Sequence, residues 1–361
     1  MKKISLLLFA WFMLSYTAAY SQATGFTTFT GANLNTALNE SSGLEYCRGK
    51  LWTHNDSGGT PQIFSIDPAT GAILQTITLG GITNVDWEDL TADGYYLYIG
   101  DVGNNANGAR TNLVIYKISL DDIPLTGDAT IPNNKIQAIQ FYYPEQGTPV
   151  ATTGNNTAYD CEAIVIRNDV IHLFTKDWTS AASGYETFEY LLPNVPNPSG
   201  GKYAAKLFHR HPSIGFLVTS ADNAGVNQLA LIGYQSTTPG NVSVRIYSGF
   251  QGDDISTGKV YSTTLGSAAT YGQVEAICFG GNPFTGYISN ELFSYTLPII
   301  GTQTVPAMVK SFTVSYSAAD KTMISTGTAG GGTQGSIRYN SDRNRVEGFN
   351  GLYWIPLDVK Q

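Results

Sequence analysis

The feature that most constrains the fold is a unit that recurs along the chain. In each copy an acidic residue precedes a short apolar strand, and the copies begin at Glu40, Glu88, Glu162, Asp222 and Glu275. The intervals, about 48 to 74 residues, are comparable with blade-sized repeats once loop insertions are allowed. A repeated unit of this size predicts an assembly of similar modules around a shared core.

Further apolar strands follow each acid. The second strand ends in a polar pair in four copies, at residues 51–55, 97–101, 173–177 and 287–290, whereas the fourth copy ends at Tyr234. Third strands are predicted at 62–66, 113–118, 244–247 and 292–295, and fourth strands at 73–77, 136–142 and 205–208. Their alternation of apolar and polar residues indicates half-buried strands. Four antiparallel strands per unit are typical of one β-propeller blade.

The sequence therefore predicts an all-β fold, a five-bladed β-propeller with a small β-rich C-terminal appendage. The last unit lacks a fourth strand, and residues 25–30 form an orphan strand ahead of the first acid. We expect this strand to complete blade five, since ring closure removes an exposed sheet edge. A sixth, degenerate blade is the alternative to five. A β-sandwich is the alternative to the propeller, although it gives no reason for the acid to recur.

The predicted topology places two sets of polar residues at one mouth of the central channel. The acid starts the innermost strand and the polar pair ends the next one, and antiparallel neighbours bring these two points to the same edge. Carboxylates that lie close together raise one another's pKa unless a cation lies between them. Calcium binds carboxylate and amide oxygens. The sequence thus predicts a calcium site formed by Glu40, Glu88, Glu162, Asp222, Glu275, Asn55, Asp101, Asp177 and Asn290.

Other roles for these acids stay open at this stage. Lys176 could supply the positive charge instead of a metal, or the acids could accept hydrogen bonds from backbone N–H groups of neighbouring blades. A carboxylate pair drawn from Glu88, Glu162 and Glu275 could hydrolyse a glycan or a phosphoester. No nucleophile elbow, phosphate-cradling loop or dinucleotide fingerprint is present. Whether the protein is an enzyme is therefore left open.

The N-terminus predicts export. Lys2 and Lys3 precede an apolar run over residues 4–14, and small and polar residues follow as far as Ser21, as in a secretory signal peptide. We expect a mature protein from Gln22 that is secreted or on the cell surface, in an extracellular or periplasmic location. No other stretch approaches the roughly 20 apolar residues of a membrane helix.

Composition narrows the partners. The formal net charge of −8 argues against nucleic acid, so we expect an extracellular glycan, a small molecule or a protein ligand. The spacing of Cys47, Cys161 and Cys278 fits neither a disulfide framework nor a zinc site. We interpret the three cysteines as small buried hydrophobes, with a bridge between Cys47 and Cys278 left open.

Four motifs carry a resemblance to known proteins: residues 40–44 (Glu-Ser-Ser-Gly-Leu), 53–58 (Thr-His-Asn-Asp-Ser-Gly), 86–90 (Asp-Trp-Glu-Asp-Leu) and 99–104 (Ile-Gly-Asp-Val-Gly-Asn). With them the chain resembles uncharacterised secreted propeller proteins of Bacteroidetes-type bacteria, over roughly residues 25–298. It is more distantly similar to the SdiA-regulated and esterase-like phytase propellers, whose acidic channel residues hold calcium in some members. The resemblance implies the fold, export and a calcium site. The fourth repeat departs from it, with Asp222 for Glu and Tyr234 for Asn or Asp.

The C-terminal region differs from the repeats. It contains a glycine-rich turn at residues 329–332 and two further segments, 335–340 and 345–354. The second segment is similar to short β-motifs near the ends of phage tail-fibre and bacterial surface proteins, which implies attachment or self-assembly. A small β-appendage packed on the propeller is the alternative. The predicted organisation is a signal peptide (1–21), a propeller (22–298) and a β-rich tail (299–361).

Overall fold

The computed structural model describes residues 22–224 and 227–316, together with tail segments 337–340, 345–349 and 354–356. The predicted signal peptide, residues 1–21, lies outside the described residues. Within the described part, no helix is long and apolar enough to cross a membrane. The three tail segments form an antiparallel sheet of strands Ile337–Asn340, Arg345–Phe349 and Trp354–Pro356. Attachment or self-assembly through the tail stays a prediction.

Five sheets of the same design form the rest of the described chain. From the channel outwards, blade 1 contains Ser41–Cys47, Lys50–Asn55, Gln62–Ile66 and Ile73–Leu79. Blade 2 contains Trp87–Ala92, Tyr96–Asp101, Val114–Ser119 and Ile136–Tyr142. Blade 3 contains Cys161–Arg167, Val170–Thr175, Thr187–Pro193 and Lys206–His211. Blade 4 contains Leu217–Asn223, Gln228–Tyr234, Asn241–Ser248 and Lys259–Ser267, and blade 5 contains Gln273–Asn282, Thr285–Glu291, Met308–Tyr316 and Ala23–Thr28.

Shorter elements decorate this frame. Extra strands Ala129–Ile131, Tyr203–Ala204 and Ala32–Asn33 pair with blades 1, 2 and 5, and Phe293–Leu297 forms a hairpin with Gly301–Val305. One α-helical turn spans Ala268–Tyr271. The 3₁₀ turns are Thr36–Leu38, Leu120–Asp122, Asn133–Lys135, Pro144–Gln146, Ala181–Ser183 and Ile255–Thr257.

The blades close into a ring. The innermost strands of consecutive blades contact one another, and that of blade 5 contacts that of blade 1. Ala23–Thr28 pairs antiparallel with Met308–Tyr316 as the outer strand of blade 5, so both ends of the ring are joined by one sheet. The predicted five-bladed propeller, closed by the N-terminal strand, is confirmed. The sixth blade and the β-sandwich are not found in the described part.

Apolar packing occurs mainly between blades. Five buried clusters lie at the five interfaces, and in one of them Trp52 and Ile63 of blade 1 pack with Trp87 and Leu97 of blade 2. Burying an aliphatic or aromatic side chain contributes roughly 1.5–3 kcal/mol, so these interfaces hold the blades in a defined relation. That relation positions the polar ends of the inner strands around the channel.

Two sequence-based assignments in the last two blades are wrong. Asp222 does not start blade 4, because the inner strand begins at Leu217 and Asp222 is its sixth residue, towards the opposite end. Residues 292–295 do not supply the third strand of blade 5, because they belong largely to the inserted hairpin. Met308–Tyr316 supplies that strand, so the predicted boundary at residue 298 leaves one propeller strand in the tail.

The three cysteines are buried and free, as their interpretation as small hydrophobes predicts. The bridge between Cys47 and Cys278 that the sequence left open is not formed.

Candidate functional site

A β-bulge at the start of every inner strand selects the residues at the channel mouth. The pairing register with the second strand shifts by one residue in each blade, at Gly43, Glu88, Glu162, Thr219 and Glu275. A bulge leaves one residue without a partner on the neighbouring strand and re-aims its side chain. Three of the five predicted acids therefore occupy equivalent positions in blades 2, 3 and 5.

Three aspartates join two of these glutamates. Asp86 and Asp160 lie two residues before Glu88 and Glu162, and Asp56 directly follows the second strand of blade 1. Carboxylate oxygens of Asp56, Asp86 and Glu88 lie within 4.8 Å of one another, and so do those of Glu88, Asp160 and Glu162. We call these five residues the mouth cluster. Glu88 belongs to both groups, so the cluster offers two neighbouring cation positions that share one carboxylate.

Several carboxylate oxygens of this region have no hydrogen-bond partner among the residues that the structure describes. Glu88 Oε1 and Glu162 Oε1 are buried and unpaired, on side chains of residues only 4% and 2% exposed, and Asp56 Oδ1 and Glu275 Oε2 are also unpaired. A buried acceptor without a partner costs free energy, and an ionised one costs more. Asp160 differs, because it accepts from the Asn104 N–H at 2.5 Å and the Trp178 indole N–H at 2.7 Å.

Glycine at position 103 makes room for these carboxylates. A methyl group on Gly103 would lie 2.0 Å from Glu88 Oε1 and 2.5 Å from Asp86 Oδ2, closer than non-bonded atoms approach. The space beside Glu88 Oε1 therefore depends on residue 103 being a glycine.

Burial shifts the protonation of the mouth cluster. It raises the pKa of Asp56 to about 7, with the carboxylates of Asp86 and Glu275 adding to the effect. It raises the pKa of Asp86 to about 6, although the Arg110 guanidinium opposes the shift. Burial and the neighbouring Glu162 carboxylate raise the pKa of Glu88 well above its ordinary range. Without a cation the cluster therefore retains protons near neutral pH, and a bound cation would favour their release.

Lys176 supplies positive charge at the edge of the cluster. Its Nζ lies 3.1 Å from Glu162 Oε2 and 3.0 Å from the Tyr234 hydroxyl, which in turn donates to Glu275 Oε1 at 3.1 Å. Burial lowers the pKa of Lys176, but the carboxylates of Glu162 and Glu275 outweigh it and leave that pKa well above its usual value. The internal ammonium considered from the sequence is thus present beside Glu162.

Three predicted acids lie outside the mouth cluster: Glu40, Asp222 and Glu275. Glu275 occupies the equivalent bulge of blade 5, where it accepts from the Tyr234 hydroxyl. Glu40 is exposed, one residue before the inner strand of blade 1, and Gly43 takes the position equivalent to Glu88. Asp222 lies deeper in the channel, where its carboxylate accepts the Phe279 N–H of blade 5 at 2.6 Å. The equivalent position in blade 4 is taken by Thr219, so the ring of five acids expected at the mouth is not formed.

The four residues of the polar pairs are engaged in local contacts. Asn55 and Asn290 donate to backbone carbonyls of nearby loops at 2.7 and 2.8 Å. Asp101 binds the Arg110 guanidinium at 2.6 Å, and Asp177 accepts an N–H of its own loop at 2.9 Å. These contacts shape the loops around the mouth cluster, and none of the four belongs to it.

Deeper in the channel, buried carboxylates join neighbouring blades. Glu45 of blade 1 accepts a backbone N–H of blade 2 at 2.9 Å, and Asp89 of blade 2 accepts N–H groups of blades 3 and 4 at 3.0 and 3.4 Å. Asp222 links blade 4 to blade 5 in the same way. The structural role considered from the sequence therefore applies to Glu45, Asp89 and Asp222.

Sequence reasoning missed Asp56, Asp86 and Asp160, although a signal exists. The pattern Asp-x-Glu occurs at residues 86–88 and 160–162, and Gln-x-Glu occurs at 273–275 in blade 5. A second acid at a constant spacing before the bulged glutamate indicates a shared position at the mouth. Asp56 follows Asn55 directly in the chain, in one of the motifs that carry the resemblance.

The fold and the site define the class of this protein as a five-bladed β-propeller with a buried carboxylate cluster at one channel mouth. No model of a known protein family matches the chain, and no curated protein matches it. The resemblance to secreted propellers of Bacteroidetes-type bacteria, and to the SdiA-regulated and phytase groups, therefore stays a prediction.

Solved structures similar to this chain include propellers. Hydrazine synthase from Kuenenia stuttgartiensis is 12% identical, with 73% of this chain and 80% of that one covered and a TM-score of 0.36. The β-propeller domain of Cps50 (Swd1) from Myceliophteria thermophila is 10% identical, with coverage of 82% and 100% and a TM-score of 0.36. Regucalcin, a calcium-binding protein from Agrobacterium tumefaciens, is 11% identical, with coverage of 79% and 95% and a TM-score of 0.37. The propeller assignment itself follows from the strand pairing.

Proposed function

We propose that this protein is a secreted β-propeller that acts as a binding or scaffold module and holds calcium in the mouth cluster. The observation that carries the proposal is the pair of unpaired, buried oxygens Glu88 Oε1 and Glu162 Oε1 among carboxylates within 4.8 Å. Such oxygens are costly without a partner, and a divalent cation would satisfy them.

The donor set favours calcium. Both three-residue groups consist of carboxylates alone, without histidine or cysteine, and hard cations prefer such oxygen ligands. Calcium accepts several oxygens in flexible geometry, which suits groups drawn from separate loops, and it is plentiful outside cells. The space beside Gly103 supports the same conclusion, because a side chain there would displace the Glu88 carboxylate.

A cation at this place would also join blades. Asp56 follows the second strand of blade 1, Asp86 and Glu88 enter blade 2, and Asp160 and Glu162 enter blade 3. An ion in the first position would join blade 1 to blade 2, and an ion in the second would join blade 2 to blade 3. Calcium would then stabilise the ring and fix the loops around the mouth.

Thermal unfolding of the mature chain in calcium and in a chelator tests the proposal. A ligand bound only by the native state adds stability, about 2.7 kcal/mol at a hundredfold excess over Kd, so we expect calcium to raise the melting temperature. Glu88→Gln should remove this increase, whereas Glu40→Gln, at the exposed acid outside the cluster, should retain it. An unchanged melting temperature in the wild type, or a full calcium effect in Glu88→Gln, contradicts the proposal.

A secreted hydrolase of glycans or phosphoesters is the second candidate. The observation in its favour is that Asp86 and Asp56 have pKa values raised to about 6 and about 7, where a general acid works best. In this candidate Asp56 or Asp86 would be the general acid, and the partner carboxylate would come from among Glu88, Glu162 and Glu275. Turnover of nitrophenyl glycosides or phosphates that is lost in Glu88→Gln and kept in Glu40→Gln would support this candidate. The absence of turnover on both substrate classes would count against it.

A further inference from the structure

A pocket of about 270 Å³ opens beside the mouth cluster. Each of blades 2 to 5 contributes lining residues from the segment after its second strand, among them Asn105, Trp178 and Gln235 from loops and Phe293 from the start of the hairpin. Loops presented by a rigid scaffold are the usual location of binding sites. Pockets for drug-sized ligands span about 300–1,000 Å³, so this one suits a ligand of about one ring.

The pocket lining combines uncharged polar groups with aromatic rings. Trp178 and Phe293 contribute aromatic rings to the lining; the Lys176 Nζ lies 4.8 Å from the centre of the Trp178 ring, and Phe293 stacks on Tyr295. The side-chain amides of Asn105, Asn155 and Gln235 make no hydrogen bond with the part of the chain that the structure describes. Hydroxyl groups of the loop after blade 4's second strand add further donors and acceptors. A pyranose ring has the complementary surface, with apolar C–H faces and a rim of hydroxyl groups.

Charge in and around the pocket selects against ionic ligands. Lys176, the charged residue of the lining, already binds Glu162 and the Tyr234 hydroxyl. Its ammonium group would repel a cationic ligand in the pocket. The neighbouring carboxylates compensate its charge, so an anionic ligand would gain little attraction from Lys176 and would be repelled by the mouth cluster.

We propose that this pocket binds a neutral sugar unit of an extracellular glycan. The inference goes beyond the calcium site and does not require it, because the pocket lining contains no carboxylate of the mouth cluster. Phe293 acts as an aromatic platform, and the unpaired amides select the hydroxyl pattern. Phe293 is the first residue of the blade 5 hairpin, so this insertion contributes to the pocket lining.

Isothermal titration calorimetry of the mature chain with defined oligosaccharides tests this inference. The probes are cellohexaose, xylohexaose and mannohexaose as neutral sugars, an oligogalacturonate as the anionic sugar and a glucosamine hexamer as the cationic one. We expect binding of at least one neutral hexasaccharide, in calcium and in chelator alike. Binding of the charged probes alone, or of none, would overturn the proposal.

Two phenylalanine variants locate the site. Phe293→Ala should weaken binding about tenfold or more, as expected for an aromatic anchor. The matched control is Phe29→Ala, which removes an exposed phenylalanine beside the outer strand of blade 5. If Phe293→Ala binds the sugar as tightly as the wild type, and both variants keep the wild-type melting temperature, the proposed position of the sugar site is refuted. Sugar binding without any calcium effect on melting would contradict the calcium proposal and leave this one standing.

Discussion

Asparagine in place of Asp56 should stabilise the metal-free protein and weaken its response to calcium. Asp56 is half-buried, and burial together with the carboxylates of Asp86 and Glu275 raises its pKa from 3.8 to about 7. The folded protein therefore holds this proton more tightly than the unfolded chain does. The stabilising contribution is present below about pH 4 and is lost as the pH rises towards 7. Each unit of difference between the unfolded and folded pKa of Asp56 corresponds to about 1.4 kcal/mol, so the loss of folding free energy reaches about 4 kcal/mol.

Asparagine does not ionise, so the variant avoids this loss. In metal-free buffer at pH 8 we expect the free energy of unfolding of Asp56→Asn to exceed that of the wild type by up to about 4 kcal/mol. Near pH 4 the two proteins should have the same stability. In saturating calcium the order should reverse, because the wild type gains binding energy and the variant has lost a charged ligand.

Urea unfolding measures these differences, since urea keeps the ionic strength constant where guanidinium chloride would screen the charges. Unfolding curves at pH 4, 6 and 8, in metal-free buffer and in calcium, give the free energy for both proteins. Glu40→Gln serves as the control and should follow the wild type. A variant that is less stable than the wild type in metal-free buffer at pH 8 would refute the reasoning.

Three further variants separate the parts of the site. Gly103→Ala should abolish the calcium-induced rise in melting temperature, because the new methyl displaces the Glu88 carboxylate. In chelator, overpacking should lower the free energy of unfolding by about 1–3 kcal/mol. A full calcium effect would contradict the proposed position of the ion. Lys176→Met leaves Glu162 buried without its ammonium partner. The free energy of unfolding in urea should fall by about 3–5 kcal/mol in metal-free buffer and by less in calcium. An equal loss in the two buffers would show that no cation replaces the ammonium group. Asp89→Asn should cost about 1–3 kcal/mol through weakened bonds to blades 3 and 4, with the calcium effect on melting unchanged.

The sequence alone determined the repeat, the closing strand and part of the mouth. Four-strand units and their alternation are local properties, so they could be counted along the chain. The orphan strand ahead of Glu40 predicted the closure that the pairing of Ala23–Thr28 confirms. Glu88, Glu162 and Glu275 could be grouped because each lies at the start of an inner strand, and the structure places all three at equivalent bulges.

Only the tertiary structure decided which carboxylates meet. A one-residue bulge changes the direction of a side chain without changing the apolar pattern, so Gly43 and Thr219 could not be recognised as the equivalents of Glu88. Asp222 is the weakest of the five predicted starts, and its position as the sixth residue of the inner strand places it deep in the channel. The approach of Asp56 to Glu88 depends on how blade 1 packs against blade 2. Contacts of this kind join residues far apart in the chain, and the ring geometry rather than local periodicity sets them.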